Sequence, residues 1–227
     1  MSKDLYQSTL NELANFDSAT ISNAIESFNV RDRTEGYASM ELKCQFPTLP
    51  PMVGFAVTCT MDSTTSRPRQ DSRIGDSFDA VMASQKPVII VAKDVGNDNL
   101  RSCFFGDMIC AALKSLGATG VITDGGVRDL AGIQKNAPGF HVFSPGVVVS
   151  HGNIYKLEFN IPVRVGGLEI NSGDLLHGDE NGIVNIPFSV ADKLSEEAAR
   201  IKSYEEDFFK YVSGESATRE GIEKLFY

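Results

Sequence analysis

Gly106-Asp-Met-Ile-Cys-Ala-Ala-Leu-Lys-Ser-Leu-Gly-Ala-Thr-Gly-Val-Ile-Thr-Asp-Gly-Gly-Val-Arg-Asp129 is the stretch on which the reading of this chain turns. Met108 to Leu116 repeats apolar residues at helical spacing. Gly117 supplies the stop, because glycine takes the left-handed conformation that closes a helix. Gly120-Val-Ile-Thr123 reads as a strand and runs straight into Asp124-Gly-Gly-Val-Arg-Asp129. Helix, strand and polar loop in that order are α/β in character, and such folds place their sites at strand ends.

Upstream, residues 8–28 have the apolar spacing of an amphipathic helix or helix pair. A charged loop with Pro47, Pro50 and Pro51 leads to a strand over Val53–Met61. A helix over 71–84, opened by Asp71 or Ser72, precedes a doubly buried strand at Val88–Ala92 and then a polar loop. Downstream, the segments 140–150, 154–159, 161–165, 168–170, 174–177 and 182–186 are short, apolar and punctuated by Gly, Pro, Asn or Asp, as strands are. A long amphipathic helix runs from Ser189 to about Ser213-Gly214. The sum is a mixed α/β sandwich rather than a regularly alternating array, with one domain expected across residues 1–227.

Composition narrows the function. The 227 residues carry a net charge of −9, which argues against a nucleic-acid surface. No apolar run approaches a membrane span and no signal-type segment opens the chain, so a cytoplasmic location is expected. Cys44, Cys59, Cys103 and Cys110 lack zinc-type spacing and read as buried free thiols.

The chemistry concentrates between residues 106 and 129. Asp107 falls at a helix start, where a carboxylate ordinarily caps the first turn, and Gly106 with the free N–H groups of Met108 and Ile109 makes the same place an anion site. Arg128-Asp129 lies at the end of an apolar strand, after glycines that let a ligand approach the backbone; alone it would read as a structural ion pair, but it has Asp107 beside it. Two carboxylates from separate segments suit Mg²⁺ or Mn²⁺, and a guanidinium fork suits a carboxylate or enolate oxygen. Asp124 is a further acidic candidate there. His177-Gly-Asp179 is a weaker metal candidate, His141 and His151 read as structural, and Asp179–Gly182 reads as a turn. No nucleophile elbow, Walker loop or dinucleotide fingerprint is present.

Asp107, twenty intervening residues and then Arg128-Asp129 resemble the signature of the RraA-like family. That family includes the 4-hydroxy-4-methyl-2-oxoglutarate/4-carboxy-4-hydroxy-2-oxoadipate aldolases and the regulators of ribonuclease activity. Val53-Gly-Phe-Ala-Val-Thr58, Pro162–Gly167 and Ser172–Gly182 extend the likeness over about residues 20–215, closest to the aldolase branch. The resemblance implies a swivelling β/β/α-type fold, with a core at about 20–188 and a C-terminal helical extension over 189–227. It implies a homotrimer or homohexamer with sites at subunit boundaries.

For the site, the resemblance implies that Asp129 binds the Mg²⁺ or Mn²⁺ and that Asp107 holds a metal-bound water. Arg128 would meet the oxo or enolate oxygen of a 2-oxo acid, and the Met108 and Ile109 amides, beside Gly106, its carboxylate. A C-terminal glutamate, Glu205 or Glu206 here, would enter a neighbouring subunit's site. The expected activity is pyruvate-releasing lyase chemistry, with oxaloacetate decarboxylation from the same parts. The rival is a non-catalytic regulator of a ribonuclease; the long C-terminal helix favours the enzyme. Methyl transfer finds no support, for want of a glycine-rich nucleotide loop. Specificity is assigned to the loops Asp62–Gln70 and Phe143–Asn153.

Overall fold

All ten residues of Met52–Met61 are buried, because this segment is an interior strand of a layered structure and has protein on both faces. The computed structural model describes residues 7–66, 74–154 and 158–226. It begins with α1 (Gln7–Leu13), α2 (Ser18–Ser27), β1 (Lys43–Cys44) and β2 (Met52–Met61). There follow α3 (Ile74–Ala83), β3 (Val88–Asp94), β4 (Cys103–Phe105), α4 (Asp107–Ser115), β5 (Ala118–Thr123), β6 (Gly126–Val127), α5 (Leu130–Asn136) and β7 (His141–Ser144). The remainder is β8 (Val163–Val165), β9 (Leu168–Ile170), β10 (Leu175–Asp179), β11 (Gly182–Ile186), α6 (Leu194–Val212) and α7 (Arg219–Phe226).

Seven strands form the main sheet in the order β1-β7-β5-β3-β2-β10-β11. The inner strands β7, β5, β3 and β2 are parallel, joined by crossovers through α3, α4 and α5. β10, β11 and β1 pair antiparallel at the two ends. Between Met52 and Ser144 the main-sheet strands are therefore separated by helices, with β4 and β6 inserted, and the later strands make the whole mixed.

Strand alternation sorts the side chains into layers. Val57, Cys59 and Met61 of β2, with Val88, Ile90 and Ala92 of β3, pack with Val81, Cys110, Leu113 and Ile133 of α3, α4 and α5. Val53 and Phe55 meet α1, α2 and α6 through Leu13, Ile21, Ile25 and Leu194. The opposite face, with Met52, Ala56, Ile89 and Val91, is covered by Val163, Val165, Leu168 and Ile170 of the β8–β9 hairpin. The sheet curls around this last cluster. A Cβ on Gly178 of β10 would lie 3.0 Å from the Phe143 ring of β7, although three strands separate the two in the sheet. This is the expected β/β/α sandwich, nearly closed on itself, with a C-terminal helix.

Several boundaries differ from the sequence reading. Residues 189–193 are turns, so α6 starts at Leu194, and α7 follows it. Residues 140–150 contain one strand, β7, and then an irregular run that touches β6 through the Val127–Val147 bridge. The start of the expected 71–84 helix, part of the 62–70 loop and part of 154–159 lie outside the described residues. The short strands β1, β4 and β6 and the helix α5 fall in stretches without a legible period. Two of these, β4 and β6, carry the site.

Candidate active site

β4 and β6 pair parallel, with Cys103 beside Gly126 and Phe105 beside Val127. Each is followed at once by a helix. Gly106 is the N-cap of α4 and Asp129 is the N-cap of α5, so two strand-to-helix corners lie side by side. The Arg128 amide donates to the Phe105 carbonyl at 3.0 Å and carries the pairing one step beyond β6. The residues between Asp107 and Arg128 are thus one complete circuit through α4, β5 and β6. That circuit is the physical content of the spacing.

The corner closes tightly. Asp129 has φ 58° and ψ 40°, a left-handed conformation uncommon outside glycine, asparagine and aspartate. The turn brings its Oδ2 to 3.2 Å from Arg128 Nε. A Cβ on Gly106 would stand 3.2 Å from Arg128 Cγ and 3.3 Å from both Arg128 Nε and Asp129 Oδ2. Glycine at 106 is what lets the guanidinium and carboxylate lie against the start of α4.

Asp107 is placed from the other side. Its Oδ2 accepts from Asn136 Nδ2 at 3.2 Å, and a Cβ on Gly132 would lie 2.8 Å from its Cβ. Gly132 and Asn136 are four apart on α5 and share a face; the sequence reading missed both, although that spacing was visible. Asp107 Oδ1 accepts from the Met108 amide at 2.8 Å, so this expected anion-binding N–H is engaged by the protein itself. Met108 is exposed and Ile109 is nearly buried.

Gly106, Asp107, Met108, Ile109, Arg128 and Asp129 are therefore neighbours. Glu205 and Glu206 are not among them. They lie on α6, which packs on α1 and α2, and among the described residues neither shares a hydrogen bond or ion pair with this group. Asp124 belongs elsewhere: it accepts from Lys93 Nζ and, at 2.8 Å, from the Asp94 amide.

The weaker candidates have other surroundings. His177 is fully buried with Nε2 2.9 Å from the Phe16 carbonyl oxygen, and Asp179 accepts from the Ser18 amide at 2.7 Å. His141 is buried, His151 is exposed, and Gly182 takes φ 131° in the expected turn. Among the described residues no three His, Cys, Asp or Glu side chains converge as a metal cluster. The four cysteines are free, with Cys44 only half-buried. Burial pushes the Cys103 thiol up to about 11 and the Cys110 thiol to about 12, so neither is a ready nucleophile.

Two clefts are lined by other residues. One of about 620 Å³ is lined by Ser63, Thr64 and Ser66 with Val148–Ser150 and Gly152–Asn153, which brings together the two loops expected to set specificity. Another, of about 680 Å³, is lined by Lys93, Asp124 and Arg164. Neither includes Asp107, Arg128 or Asp129, whose side chains are part-exposed.

The RraA-like sequence profile, described as Aldolase/RraA, matches residues 18–185. The chain belongs to this RraA-like family. Within the family's range of names, the chain is 28% identical over 148 residues to a Halalkalibacterium halodurans protein provisionally named a 4-hydroxy-4-methyl-2-oxoglutarate aldolase, covering 64% of this chain and 69% of that one. An uncharacterised Pseudomonas syringae pv. tomato protein has the same fold, with TM-score 0.74, 21% identity and coverage of 100% and 98% of the two chains. So does Streptomyces coelicolor RraAS2, titled an unusual member of the RNase ES inhibitor RraA family, with TM-score 0.67, 20% identity and coverage of 91% and 98%. Among the described residues no helix is long and apolar enough to cross a membrane.

Proposed function

We propose that this chain is a divalent-metal-dependent lyase that cleaves C–C bonds of 2-oxo acids to release pyruvate, of the 4-hydroxy-4-methyl-2-oxoglutarate aldolase type. Oxaloacetate decarboxylation is a second outcome of the same parts. The observation that carries the reading is the pair of adjoining strand-to-helix corners that sets Asp107 and the α4 N-terminus against Arg128 and Asp129. The name of the Halalkalibacterium relative supports it.

The donors fit Mg²⁺ or Mn²⁺. Asp129 and Asp107 are both solvent-accessible carboxylates, and such hard ions take one or two carboxylates and keep several waters. Asp129 would hold the ion, with Asp107 at its hydration shell. When bound, the ion supplies a Lewis acid for the substrate's carboxylate and 2-oxo oxygens.

Arg128 donates charged hydrogen bonds to the oxygen on which negative charge develops. The α4 N-terminus receives the substrate carboxylate through the Met108 and Ile109 amides, beside Gly106. To do so, Met108 gives up its bond to Asp107. Asp107 Oδ1, so released, or the C-terminal glutamate then orients the water that takes the proton of the distal hydroxyl. For 4-hydroxy-4-methyl-2-oxoglutarate, O–H deprotonation and C3–C4 cleavage make one pyruvate directly; protonation of the enolate carbon makes the second. Glu205 or Glu206 reaches the site only from a neighbouring copy, in a homotrimer or homohexamer.

The likeness to ribonuclease-inhibitor structures is at 20% identity and carries the fold alone. The deciding experiment measures pyruvate release from oxaloacetate and from 4-hydroxy-4-methyl-2-oxoglutarate by metal-stripped protein, with and without Mg²⁺ or Mn²⁺. Turnover restored by metal and lost in Arg128→Ala and Asp129→Ala supports the lyase. Folded, metal-loaded wild type inactive on both compounds turns the reading toward another substrate or a binding role.

A further inference from the structure

Ser102 is fully buried and stands immediately before β4. Its carbonyl accepts from the Gly126 amide at 2.8 Å, the bond that starts the β4–β6 pairing. Its hydroxyl donates to Asp94 Oδ2 at the end of β3. That hydroxyl has a single proton, so the 2.9 Å contact between Ser63 Oγ and Ser102 Oγ is donated by Ser63. Ser63 Oγ in turn accepts from the Cys103 amide at 2.9 Å. The result is a directed chain from the Cys103 N–H through two hydroxyls to a carboxylate. Asp94 is itself pinned, accepting from the Gly96 amide at 3.0 Å while its own amide donates to Asp124 at 2.8 Å. Burial raises the Asp94 carboxyl above its ordinary range, and the bonds from Ser102 and Gly96 oppose that rise.

Each strand that this chain grips ends at one half of the active-site corner. β4 ends at Gly106-Asp107 and β6 at Arg128-Asp129. Two- and three-residue strands have little pairing of their own, so their relative position depends on what fixes their ends. We propose that Ser102, locked by Asp94 and Ser63, is a positioning residue that holds the two halves of the site in register. It touches no substrate in this scheme, and the assignment rests on the lyase reading for its catalytic consequence only.

Full-length Ser102→Ala, Ser102→Thr and Ser77→Ala proteins test it beside wild type. Ser77 is a buried α3 hydroxyl bonded to the Ile74 carbonyl at 2.5 Å, and reports generic loss of a buried hydroxyl. Amide hydrogen exchange is followed over residues 103–109 and 124–130, with melting temperature and with kcat and KM for pyruvate release from oxaloacetate. Ser102→Ala is expected to speed exchange in both segments about tenfold relative to β2 and β3. It is expected to lower kcat about 10- to 100-fold, as small misplacements do. Ser102→Thr restores much of both, and Ser77→Ala lowers the melting temperature without either effect. Exchange that rises evenly across the chain, or a kcat loss no larger than that of Ser77→Ala, overturns the proposal. Should Ser102→Ala fail to fold, Ser63→Ala carries the same comparison. Should wild type be inactive on oxaloacetate, the exchange pattern alone decides the role of Ser102, and the lyase reading is left to the two-substrate assay above.

Discussion

Arg128 Nε lies 3.2 Å from Oδ2 of Asp129, the next residue in the chain. Neighbours on an extended strand point to opposite faces, so this contact exists only because Asp129 turns into the left-handed region. Both side chains remain part-exposed, at 35% and 46%, and an ion pair so hydrated contributes little to folding. Arg128→Ala is therefore expected to shift stability by no more than about 1 kcal/mol while abolishing metal-dependent pyruvate release. Arg128→Lys keeps the charge but loses the fork, and is expected to recover little activity. Denaturant melts beside turnover assays check both, and a large loss of stability would assign Arg128 a structural role.

At position 129 backbone and side chain make separable demands. Asp129→Gly removes the carboxylate but suits φ 58°, whereas Asp129→Ala pays the left-handed penalty of roughly 1 kcal/mol. The glycine variant should melt at or above the alanine variant, and Mn²⁺ affinity, read by electron paramagnetic resonance, should fall in both. Undiminished Mn²⁺ binding would remove Asp129 as the ligand.

Gly132 and Gly106 are tight for different reasons. A Cβ on Gly132 meets the Asp107 Cβ at 2.8 Å, so Gly132→Ala must push α5 from α4 and is expected to cost about 1–3 kcal/mol. At Gly106 the Cβ meets side-chain atoms at 3.2–3.3 Å with φ −142°, an ordinary extended value. Gly106→Ala should fold nearly as well as wild type, with a raised KM because Arg128 and Asp129 must yield. Thermal melts and steady-state kinetics separate the two cases.

Burial pushes His141 down to about 4, against a smaller opposing pull from Asp179, and lowers His177 as well. Unfolding exposes both to ordinary histidine behaviour near 6.5, so the unfolded chain binds protons that the folded chain refuses. Their stabilisation is complete above about pH 6.5 and is lost as pH falls toward 4, about 3 kcal/mol from His141 alone. Urea unfolding from pH 7 to pH 4 should show this slope, flattened in His141→Gln. An unchanged slope in that variant would contradict the assignment.

The thiols give a simple readout of burial. Cys59 and Cys110 are pushed up to about 12 and Cys103 to about 11, whereas Cys44 sits half-buried on an edge strand. Iodoacetamide at pH 8 is expected to modify Cys44 first in native protein and all four thiols in urea. Rapid native labelling of Cys103 would mean that β4 opens.

Sequence periodicity by itself determined the long elements. β2 and β3 are buried on both faces and so are largely apolar, and α4 shows its helix period between a polar start and Gly117. It also determined which residue types meet in the Asp107 to Asp129 stretch, since that motif is local. What the tertiary structure alone decided is their arrangement. β4 and β6 are too short to show a period, and their pairing, the placement of Asp107 by Gly132 and Asn136, and the Ser63–Ser102–Asp94 chain are contacts between segments distant along the chain. Asp124 illustrates the difference: adjacent to the motif in sequence, it is drawn to Lys93 and the Asp94 amide because the parallel neighbour β3 ends beside it. A local pattern reports which face a residue takes, and only the packing of distant strands determines which carboxylate remains at the corner with Arg128.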